Sequence, residues 1–263
     1  MSAIENTVIK QVPILLTHYH ADTSIYEIGI DEAGRGPLFG RLYVAAVILP
    51  KPSTTENNEF FHKDIKDSKK IKSKKKMATV SEYIKTNALA YSIQYIEHSE
   101  IDEINIRQAV FRAAHRCIKE LYDYVLESID PNAKFHILMD GNDFIPYTHF
   151  NKDMDRIVSI PYDTIEGGDN KYMAIAAASI LAKDARDKYI ADLCLEYPVL
   201  IERYSLDKNM GYGTRKHLDG IEANGITQFH RRTYGRCKVA RINEIYYSIQ
   251  ESSGVQTIVL EPL

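Results

Sequence analysis

Two stretches near the N-terminus, Ile25 to Ile30 and Leu42 to Leu49, are rich in hydrophobic residues and have the length of β-strands. A short glycine-rich turn separates them, so the sequence predicts two adjacent strands. Three further short apolar runs predict strands from Ala90 to Ile96, from Phe135 to Met139 and from Arg156 to Ile160.

Other stretches carry apolar residues at intervals of three and four, which is the period of an α-helix. The clearest stretch runs from Ile101 to Ser128. Its predicted buried face consists of Ile106, Val110, Ala113, Cys117, Leu121 and Tyr124. Helices are also predicted from about Lys74 to Ala88, from Asp169 to the residue before Pro198, and from Arg215 to Ala223. Residues 199–213 are predicted to form a loop, and the tail after Val239 to be partly helical.

The helix that begins near Asp169 is distinctive because the face predicted to meet the sheet is made mostly of small residues. These residues are Ala174, Ala177, Ala178, Leu181 and Ala185. Small side chains allow a helix to pack unusually close to a sheet. Strands first, followed by alternating helices and strands, predict an α/β fold with a mixed sheet and flanking helices.

The composition limits the class of protein. With 263 residues and a net charge of −3, the chain can bury a sizeable core, and its mild acidity does not exclude a nucleic-acid ligand. No apolar stretch is long enough to span a bilayer, and the N-terminus lacks the pattern of a secretory signal. Cys117, Cys194 and Cys237 lack the spacing of metal ligands and are expected to be reduced thiols of an intracellular protein.

The most informative chemistry lies between the first two predicted strands. Asp31 and Glu32 follow the first strand directly, and residues 34–37, Gly-Arg-Gly-Pro, form the turn after them. Carboxylate oxygens suit a hard divalent cation, and the free amides of a turn can approach a phosphate or a sugar closely. The alternative is a β-hairpin with a solvated polar turn.

Two more carboxylates occupy the ends of predicted elements. Asp140 ends a strand before Gly141, and Asp169 opens a helix. Hydrolysis of a phosphodiester by two metal ions requires several carboxylates to converge, because each ion accepts only a few protein oxygens. Taken singly, Asp140 could be a turn residue and Asp169 a helix cap, so the residues alone do not establish convergence.

Eight lysines between Lys63 and Lys76 form the strongest local charge in the chain. Such a run can be a solvated face. It can also neutralise the phosphates of a nucleic acid, in which case binding falls steeply with salt concentration.

Six blocks of the chain, in order, resemble the ribonuclease HII family, the type 2 ribonucleases H. The blocks are DEAGRGPLFGRLYVAAVIL (31–49), KDSKKI (66–71), ILMDGN (137–142), GGDNKYMAIAAASILAKDARD (167–187), MGYGTRKH (210–217) and FHRRTYG (229–235). The resemblance covers about residues 27–238. It divides the chain into an N-terminal extension (1–24), a ribonuclease HII-like catalytic domain (25–238) and a C-terminal tail (239–263).

This chain departs from the family pattern in a few places. Gly167 stands where the family usually has lysine, and Phe39 and Arg41 stand where small residues and proline are usual. Asp140 and Asp169 are 29 residues apart, a separation longer than in typical bacterial members and nearer the archaeal and eukaryotic pattern.

The resemblance implies a ribonuclease-H-like mixed sheet flanked by helices, with a C-terminal helical portion that carries Tyr212. It implies that Asp31, Glu32, Asp140 and Asp169 are both the catalytic residues and the ligands of a divalent metal, Mn²⁺ or Mg²⁺. The oxygen ligands suit both ions. None of the histidines has ligand spacing, so none is assigned to a metal.

Substrate contacts follow from the same resemblance. It implies that Gly34, Arg35 and Gly36 approach the 2′-hydroxyl of a ribonucleotide through main-chain atoms, and that Tyr212 stacks on the sugar after it. Ser68 and Lys69 are expected to contact the nucleic-acid backbone, and Thr214 and Lys216 to hold nearby phosphates. The 2′-hydroxyl is the group that distinguishes RNA from DNA.

The implied activity is endonucleolytic cleavage of the RNA strand of RNA–DNA hybrids, together with cleavage 5′ to a single ribonucleotide embedded in duplex DNA. The products would carry 5′-phosphate and 3′-hydroxyl ends. The expected partners are these nucleic acids and not a membrane, and the protein is expected to act as a cytoplasmic monomer. Nuclear access, and a need for partner subunits, stay open if the source is eukaryotic.

Three alternatives compete with this interpretation. A related metal nuclease, such as a junction resolvase, would share the carboxylates without needing the Gly-Arg-Gly turn and Tyr212 together. A nucleic-acid-binding scaffold that has lost catalysis would not need an intact set of four carboxylates. A nucleotide-binding protein using GRGPLFG as a phosphate loop would be expected to have the Lys-Ser/Thr pair of a P-loop, which is absent here.

Overall fold

The computed structural model of the protein describes residues 15–22, 24–50, 65, 71, 73–151 and 154–245. The predictions for Ser68 and Lys69 lie outside these residues, as do most of the lysine run and the tail after residue 245. Within the described ranges, no helix is both long enough and apolar enough to cross a membrane.

The described residues form seven β-strands: β1 (Ile25–Ala33), β2 (Leu42–Ile48), β3 (Ala90–Ile96), β4 (Lys134–Asp140), β5 (Thr148–Asn151), β6 (Arg156–Ser159) and β7 (Tyr162–Ile165). Five of them make a mixed sheet in the order β3-β2-β1-β4-β7. Within it, β2 is antiparallel to β1 and β3, whereas β4 is parallel to β1 and β7. The remaining two, β5 and β6, form a separate antiparallel pair.

The same described residues form seven α-helices: α1 (Lys74–Asn87), α2 (His98–Ile104), α3 (Ile106–Ser128), α4 (Met173–Glu196), α5 (Val199–Tyr204), α6 (Leu206–Asn209) and α7 (Arg215–Asn224). One face of the sheet packs against α3, and the other face packs against α4 and α1. Val44 and Ala46 of β2 join the first cluster, and Ala45 and Val47 join the second. Because β2 is covered on both faces, its sequence is a continuous apolar run rather than an alternating one.

The small residues of α4 let it approach the sheet closely, as the sequence predicts. Ala174, Ala177 and Ala178 are buried against the sheet. A β-carbon added to Gly29 of β1 would lie 2.6 Å from the β-carbon of Ala174. Glycine at position 29 is therefore required by this contact, and α4 is held directly behind the strand that carries Asp31.

Several secondary-structure predictions need correction. The helix predicted from Ile101 to Ser128 is two helices, because Asn105 has a φ of 66° and caps α3 by accepting a hydrogen bond from the Gln108 amide. Tyr124, predicted on the buried face, is exposed. The segment 199–213 is not a loop throughout, since it contains α5 and α6, joined through Ser205 in the left-handed region.

The region around the fourth carboxylate also differs from prediction. Asp169 lies in a 3₁₀ turn, Gly168–Asn170, and α4 begins only at Met173. The strand predicted from Arg156 to Ile160 is confirmed as β6, which belongs to the separate pair. β7, at one edge of the main sheet, was not predicted. The predictions for β1 to β4, α1 and α7 are confirmed to within a few residues.

The C-terminal helices form a third layer beside the sheet. Buried side chains of α5, α6 and α7 gather around Phe39 and Ile190 in one hydrophobic cluster. Phe39 comes from the turn between β1 and β2, and its main chain forms an isolated bridge with His230. The turn after Asp31 and Glu32 is thereby packed against the C-terminal helical portion.

Candidate active site

The parallel pairing of β1 with β4 brings two of the predicted carboxylates to the same edge of the sheet. Ile30 is the register partner of Met139, and the next residues along the two strands are Asp31 and Asp140. Glu32 follows Asp31 on β1. The residues alone did not establish that these side chains converge, and only the family resemblance implied it. The parallel strand pairing gives a physical reason for Asp31 and Asp140 to lie at the same edge.

Asp31 is buried, with only 6% of its surface exposed. Its Oδ1 accepts a hydrogen bond from the Glu32 amide at 2.7 Å, and Ser179 of α4 donates another from its side chain. Burial raises the pKa of Asp31 well above its ordinary value, and the negative charges of Glu32 and Asp140 raise it further. The cluster thus concentrates negative charge where water cannot screen it well.

Asp140 is tied to the turn that carries Asp169. The amide of Gly168 donates to Oδ1 of Asp140 at 2.7 Å, and the amide of Gly141 donates to the carbonyl of Ile165 at 3.0 Å. Asp169 is only 3% exposed and accepts a hydrogen bond from the side chain of Asn170 at 2.9 Å. All four predicted carboxylates therefore lie on neighbouring segments at one end of the sheet.

The donor set suits a divalent cation, although the side chains are not closed around one. The Glu32 carboxylate accepts a hydrogen bond from the Arg35 guanidinium at 3.3 Å. Across the described ranges, no three His, Cys, Asp or Glu side chains lie close enough together to hold one ion. The ligand atoms on offer are carboxylate oxygens, and a cation bound there would relieve the repulsion that raises the pKa of Asp31.

The Gly-Arg-Gly loop, residues 34–36, lies next to the carboxylates and against the Tyr212 loop, residues 210–214. A β-carbon on Gly36 would lie 3.7 Å from Cε1 of Tyr212. The amide of Leu38 donates to the carbonyl of Gly211 at 2.8 Å. The Tyr212 ring is half exposed, so it offers a face to a ligand.

A buried arginine holds the Gly-Arg-Gly loop from behind. Arg231 is fully buried and donates to three main-chain carbonyls: Gly34 at 2.6 Å, Arg35 at 3.0 Å and Gly40 at 3.0 Å. Burial lowers the pKa of Arg231 to about 10, so its guanidinium is still charged at neutral pH. The hydroxyl of Tyr234 also donates to the Arg35 carbonyl.

A second buried arginine links the two loops. Arg186 of α4 donates to the carbonyls of Phe39 at 3.3 Å and Met210 at 2.9 Å. Gly34 has a φ of +102°, and a β-carbon there would lie 2.5 Å from Nε of Arg186. Only glycine therefore fits at position 34 with this main-chain conformation.

Sequence reasoning did not assign a role to Arg186 or Arg231. Both lie inside motif blocks, so the signal that could have drawn attention to them was a cation within a motif. Of the other predicted contacts, Thr214 is the N-cap residue of α7, and Thr214 and Lys216 are both exposed shortly after Tyr212 in the sequence.

The fold is similar to that of two solved archaeal proteins. The ribonuclease H2 from Pyrococcus horikoshii has a TM-score of 0.57 and 23% identity, covering 81% of this chain and 96% of that chain. The ribonuclease HII of Archaeoglobus fulgidus, solved in a complex with PCNA, has a TM-score of 0.55 and 22% identity, covering 80% and 96%. At these identities the likeness concerns the fold alone, and it agrees with the predicted mixed sheet flanked by helices.

Sequence comparison identifies the family of the protein as well as its fold. The profile of the family described as Ribonuclease HII matches residues 28–237. Ribonuclease HII of Parabacteroides distasonis is 40% identical over 215 residues, covering 82% of this chain and 92% of that protein. Ribonuclease HII of Bacteroides thetaiotaomicron is 41% identical over 230 residues, covering 88% and 98%. This chain therefore belongs to the ribonuclease HII family, the hydrolases that act on the RNA of RNA–DNA hybrids.

Proposed function

We propose that this protein cuts the RNA strand of RNA–DNA hybrids, and also cuts 5′ to a single ribonucleotide embedded in duplex DNA, leaving 5′-phosphate and 3′-hydroxyl ends. The observation that carries the proposal is the position of Gly36 beside the Tyr212 ring, close enough that an added β-carbon would touch the ring, a few residues after Asp31 and Glu32. The residues that could recognise a sugar, Gly36 and Tyr212, are thus close to the carboxylates that could hold catalytic metal ions.

The metal site would be made by Asp31, Glu32, Asp140 and Asp169. Two divalent ions held there, Mg²⁺ or Mn²⁺, would supply an activated water and stabilise the leaving 3′-oxygen. The side chains prepare this chemistry by gathering negative charge at a buried position, which the pKa of Asp31, raised by burial and then by its neighbours, reflects. Arg35 would release Glu32 when the cations bind.

The Gly-Arg-Gly loop is oriented in a way that suits recognition of a hydroxyl. Arg231 binds the carbonyls of Gly34 and Arg35. Because a trans peptide unit is planar, the N–H of each following residue points in the opposite direction. The amides of Arg35 and Gly36 therefore point away from Arg231, on the side where a ribose 2′-hydroxyl could accept a hydrogen bond from them.

Tyr212 would stack on the sugar that follows the ribonucleotide. The ring is half exposed, and the neighbouring Gly36 has no side chain to obstruct it. A site that hydrogen-bonds a hydroxyl discriminates strongly against the analogue without it, because the polar groups of the site are then left unpaired.

Further residues near the Gly-Arg-Gly loop and Tyr212 would contact the phosphates of the substrate. Thr214 and Lys216 are exposed beside Tyr212 and could meet the phosphates of the duplex. Ser68 and Lys69 keep their predicted role at the nucleic-acid backbone, on the basis of the sequence alone.

The proposal is tested with three matched duplexes: all DNA, DNA with one ribonucleotide, and a long RNA–DNA hybrid. In Mg²⁺ or Mn²⁺ we expect the second and third to be cut, the second on the 5′ side of the ribonucleotide, with 3′-hydroxyl and 5′-phosphate ends by end-labelling. The all-DNA duplex should remain intact. Cutting only the hybrid would refute ribonucleotide recognition, and activity unaffected by a chelator would refute the metal mechanism.

A further inference from the structure

Two histidine rings are in contact beneath the Tyr212 loop. His217 lies in the first turn of α7, His230 lies in the segment that follows α7, and both are fully buried. Their Nε2 atoms are 3.1 Å apart. The rings of Phe39 and Tyr204 pack against His230, and the Tyr204 hydroxyl donates to the carbonyl of Gly225 rather than to either histidine.

The hydrogen bonds of this pair can be followed from the main-chain donor at one end. The amide of Thr227 can only donate, and it lies 3.0 Å from Nδ1 of His230, so we assign no proton to this Nδ1. The Thr227 hydroxyl, 2.9 Å from the same atom, then donates to it as well. A neutral His230 must then carry its proton on Nε2 and donate it to Nε2 of His217. The proton of His217 is therefore on Nδ1, which donates to the carbonyl of Tyr212 at 3.0 Å. Each bond fixes the tautomer required by the next.

This chain of bonds works only while both rings are neutral. A proton added to Nε2 of His217 would face the N–H of His230, and a proton added to Nδ1 of His230 would face the amide of Thr227. Burial lowers the pKa of His217, and it lowers the pKa of His230 strongly, aided by the charge of its neighbour. Both shifts favour the neutral rings that this chain of hydrogen bonds requires.

From this chain of hydrogen bonds we infer that His217 is a positioning residue for Tyr212, and that His230 acts through it by fixing its tautomer. His217 holds the main-chain oxygen of Tyr212 at the point where the loop joins α7, while Gly211 holds the other side of the loop through its bond to Leu38. The inference rests on the proposed function, because it concerns the precision with which Tyr212 meets the sugar. It assigns the two histidines to substrate selectivity and not to metal binding or proton transfer.

The test uses substitutions that separate the hydrogen bond from the packing. His217→Leu fills a similar volume but cannot donate to Tyr212. His217→Asn keeps an amide N–H near the position of Nδ1 and loses the contact with His230. Tyr204→Phe is the matched control, because it removes a buried hydrogen bond from the same cluster without touching the Tyr212 loop.

The functional readout is selectivity, defined as kcat/KM on a duplex with one ribonucleotide divided by kcat/KM on a long RNA–DNA hybrid. We expect His217→Leu to lower it by roughly three- to tenfold, the effect of one hydrogen bond. His217→Asn should retain most of it, and Tyr204→Phe should leave it unchanged. Unchanged selectivity in His217→Leu, or an equal loss in Tyr204→Phe, would overturn the inference.

Two readouts do not depend on activity. In ¹⁵N NMR spectra, His217 should be protonated on Nδ1 and His230 on Nε2; the opposite tautomer of His217 would overturn the inference even if His217→Leu fails to fold. The chain contains no tryptophan, so Tyr212→Trp introduces a single tryptophan, which can be excited selectively. Its anisotropy in the free protein should fall when His217→Leu is added, and an unchanged anisotropy would contradict the positioning role. If the wild type does not cut at the single ribonucleotide, the proposed function is wrong. The NMR and anisotropy measurements would still decide the role of His217.

Discussion

Arg231 binds the main chain of Gly34 at a distance of 2.6 Å, although 197 residues separate the two in sequence. This bond and its neighbour to Arg35 determine which way the peptide groups of the Gly-Arg-Gly loop face. A guanidinium can do this because its donors form a rigid planar fork, which lysine does not have. The orientation of the loop proposed to recognise the ribose therefore depends on a side chain that is itself fully buried.

Arg231→Lys should consequently damage recognition of the single ribonucleotide more than cleavage of a long hybrid. We expect selectivity, as defined above, to fall about tenfold or more, because one ammonium cannot bind three carbonyls at once. Stability should also fall, by about 2–4 kcal/mol, since buried carbonyls are left unsatisfied. Steady-state kinetics on both substrates and urea unfolding measure these effects. The neighbouring Arg232→Lys, at an exposed position, is the control and should change neither. Equal losses on both substrates would contradict the orienting role.

Gly34→Ala tests the close contact behind the loop. Alanine at this position meets two penalties: a φ of +102° and a β-carbon 2.5 Å from Nε of Arg186. Gly141→Ala isolates the first penalty, because Gly141 has a φ of +101° and nothing within 4 Å of an added β-carbon. Both variants should lose stability by about 1–2 kcal/mol from the backbone conformation, and Gly34→Ala should lose more. Equal unfolding free energies in urea would show that Arg186 moves aside without cost.

Asp31→Asn tests the carboxylate cluster. The variant should abolish cleavage while it retains binding of the hybrid, and it should melt at a higher temperature than the wild type without metal, because burial and the charges of Glu32 and Asp140 oppose ionisation of Asp31. Saturating Mn²⁺ should raise the melting temperature of the wild type, and it should raise that of the variant less.

Asp143→Asn is the control for this prediction. Asp143 is paired with Arg107 at the surface, and its loss should leave the response of the melting temperature to Mn²⁺ intact. If Mn²⁺ leaves the melting temperature of the wild type unchanged, the carboxylate cluster does not bind the metal as proposed.

The buried histidines predict a pH dependence of stability. Their pKa values are lowered in the folded protein by burial, so the unfolded chain binds protons first as the pH falls. Stability from this source is complete above about pH 6.5, the unfolded pKa, and is lost as the pH falls from there towards the folded pKa values. His98, also lowered by burial, contributes in the same direction; the Tyr204 hydroxyl stays neutral in this range.

His217→Asn should reduce the slope of the unfolding free energy against pH between about 5 and 6.5 by up to one proton, which corresponds to about 1.4 kcal/mol per pH unit. Urea unfolding at a series of pH values measures the slope. A slope identical to that of the wild type would mean that His217 titrates normally in the folded protein.

The elements with a clear period were predictable from sequence, and those set by long-range contacts were not. The apolar run of β2 and the helical spacing of α3 are local patterns, so they identify their elements directly. α5 and α6 span only six and four residues, which is too short for a period to emerge. β7 is likewise short, and it is a strand because it pairs with β4.

The candidate site divides in the same way. Asp31, Glu32, Asp140 and Asp169 could be selected because carboxylates at element ends suggest metal chemistry, but their proximity depends on the parallel pairing of β1 with β4. The roles of Arg186 and Arg231 were not predicted, because the local sequence does not show that both are buried and bind main-chain carbonyls from distant segments. No metal role was predicted for His217 or His230, and their spacing in the sequence could not reveal their mutual contact.

The central claim is that the Gly-Arg-Gly loop and Tyr212 read a ribose 2′-hydroxyl beside the carboxylates. The most direct measurement is single-turnover cleavage of one duplex in which a single nucleotide carries a 2′-hydroxyl, a 2′-fluorine or a 2′-hydrogen, all else being identical. The account predicts cleavage 5′ to the nucleotide with the hydroxyl and a rate lower by about 10⁴-fold or more for the other two. Comparable rates for the hydroxyl and the hydrogen would contradict it.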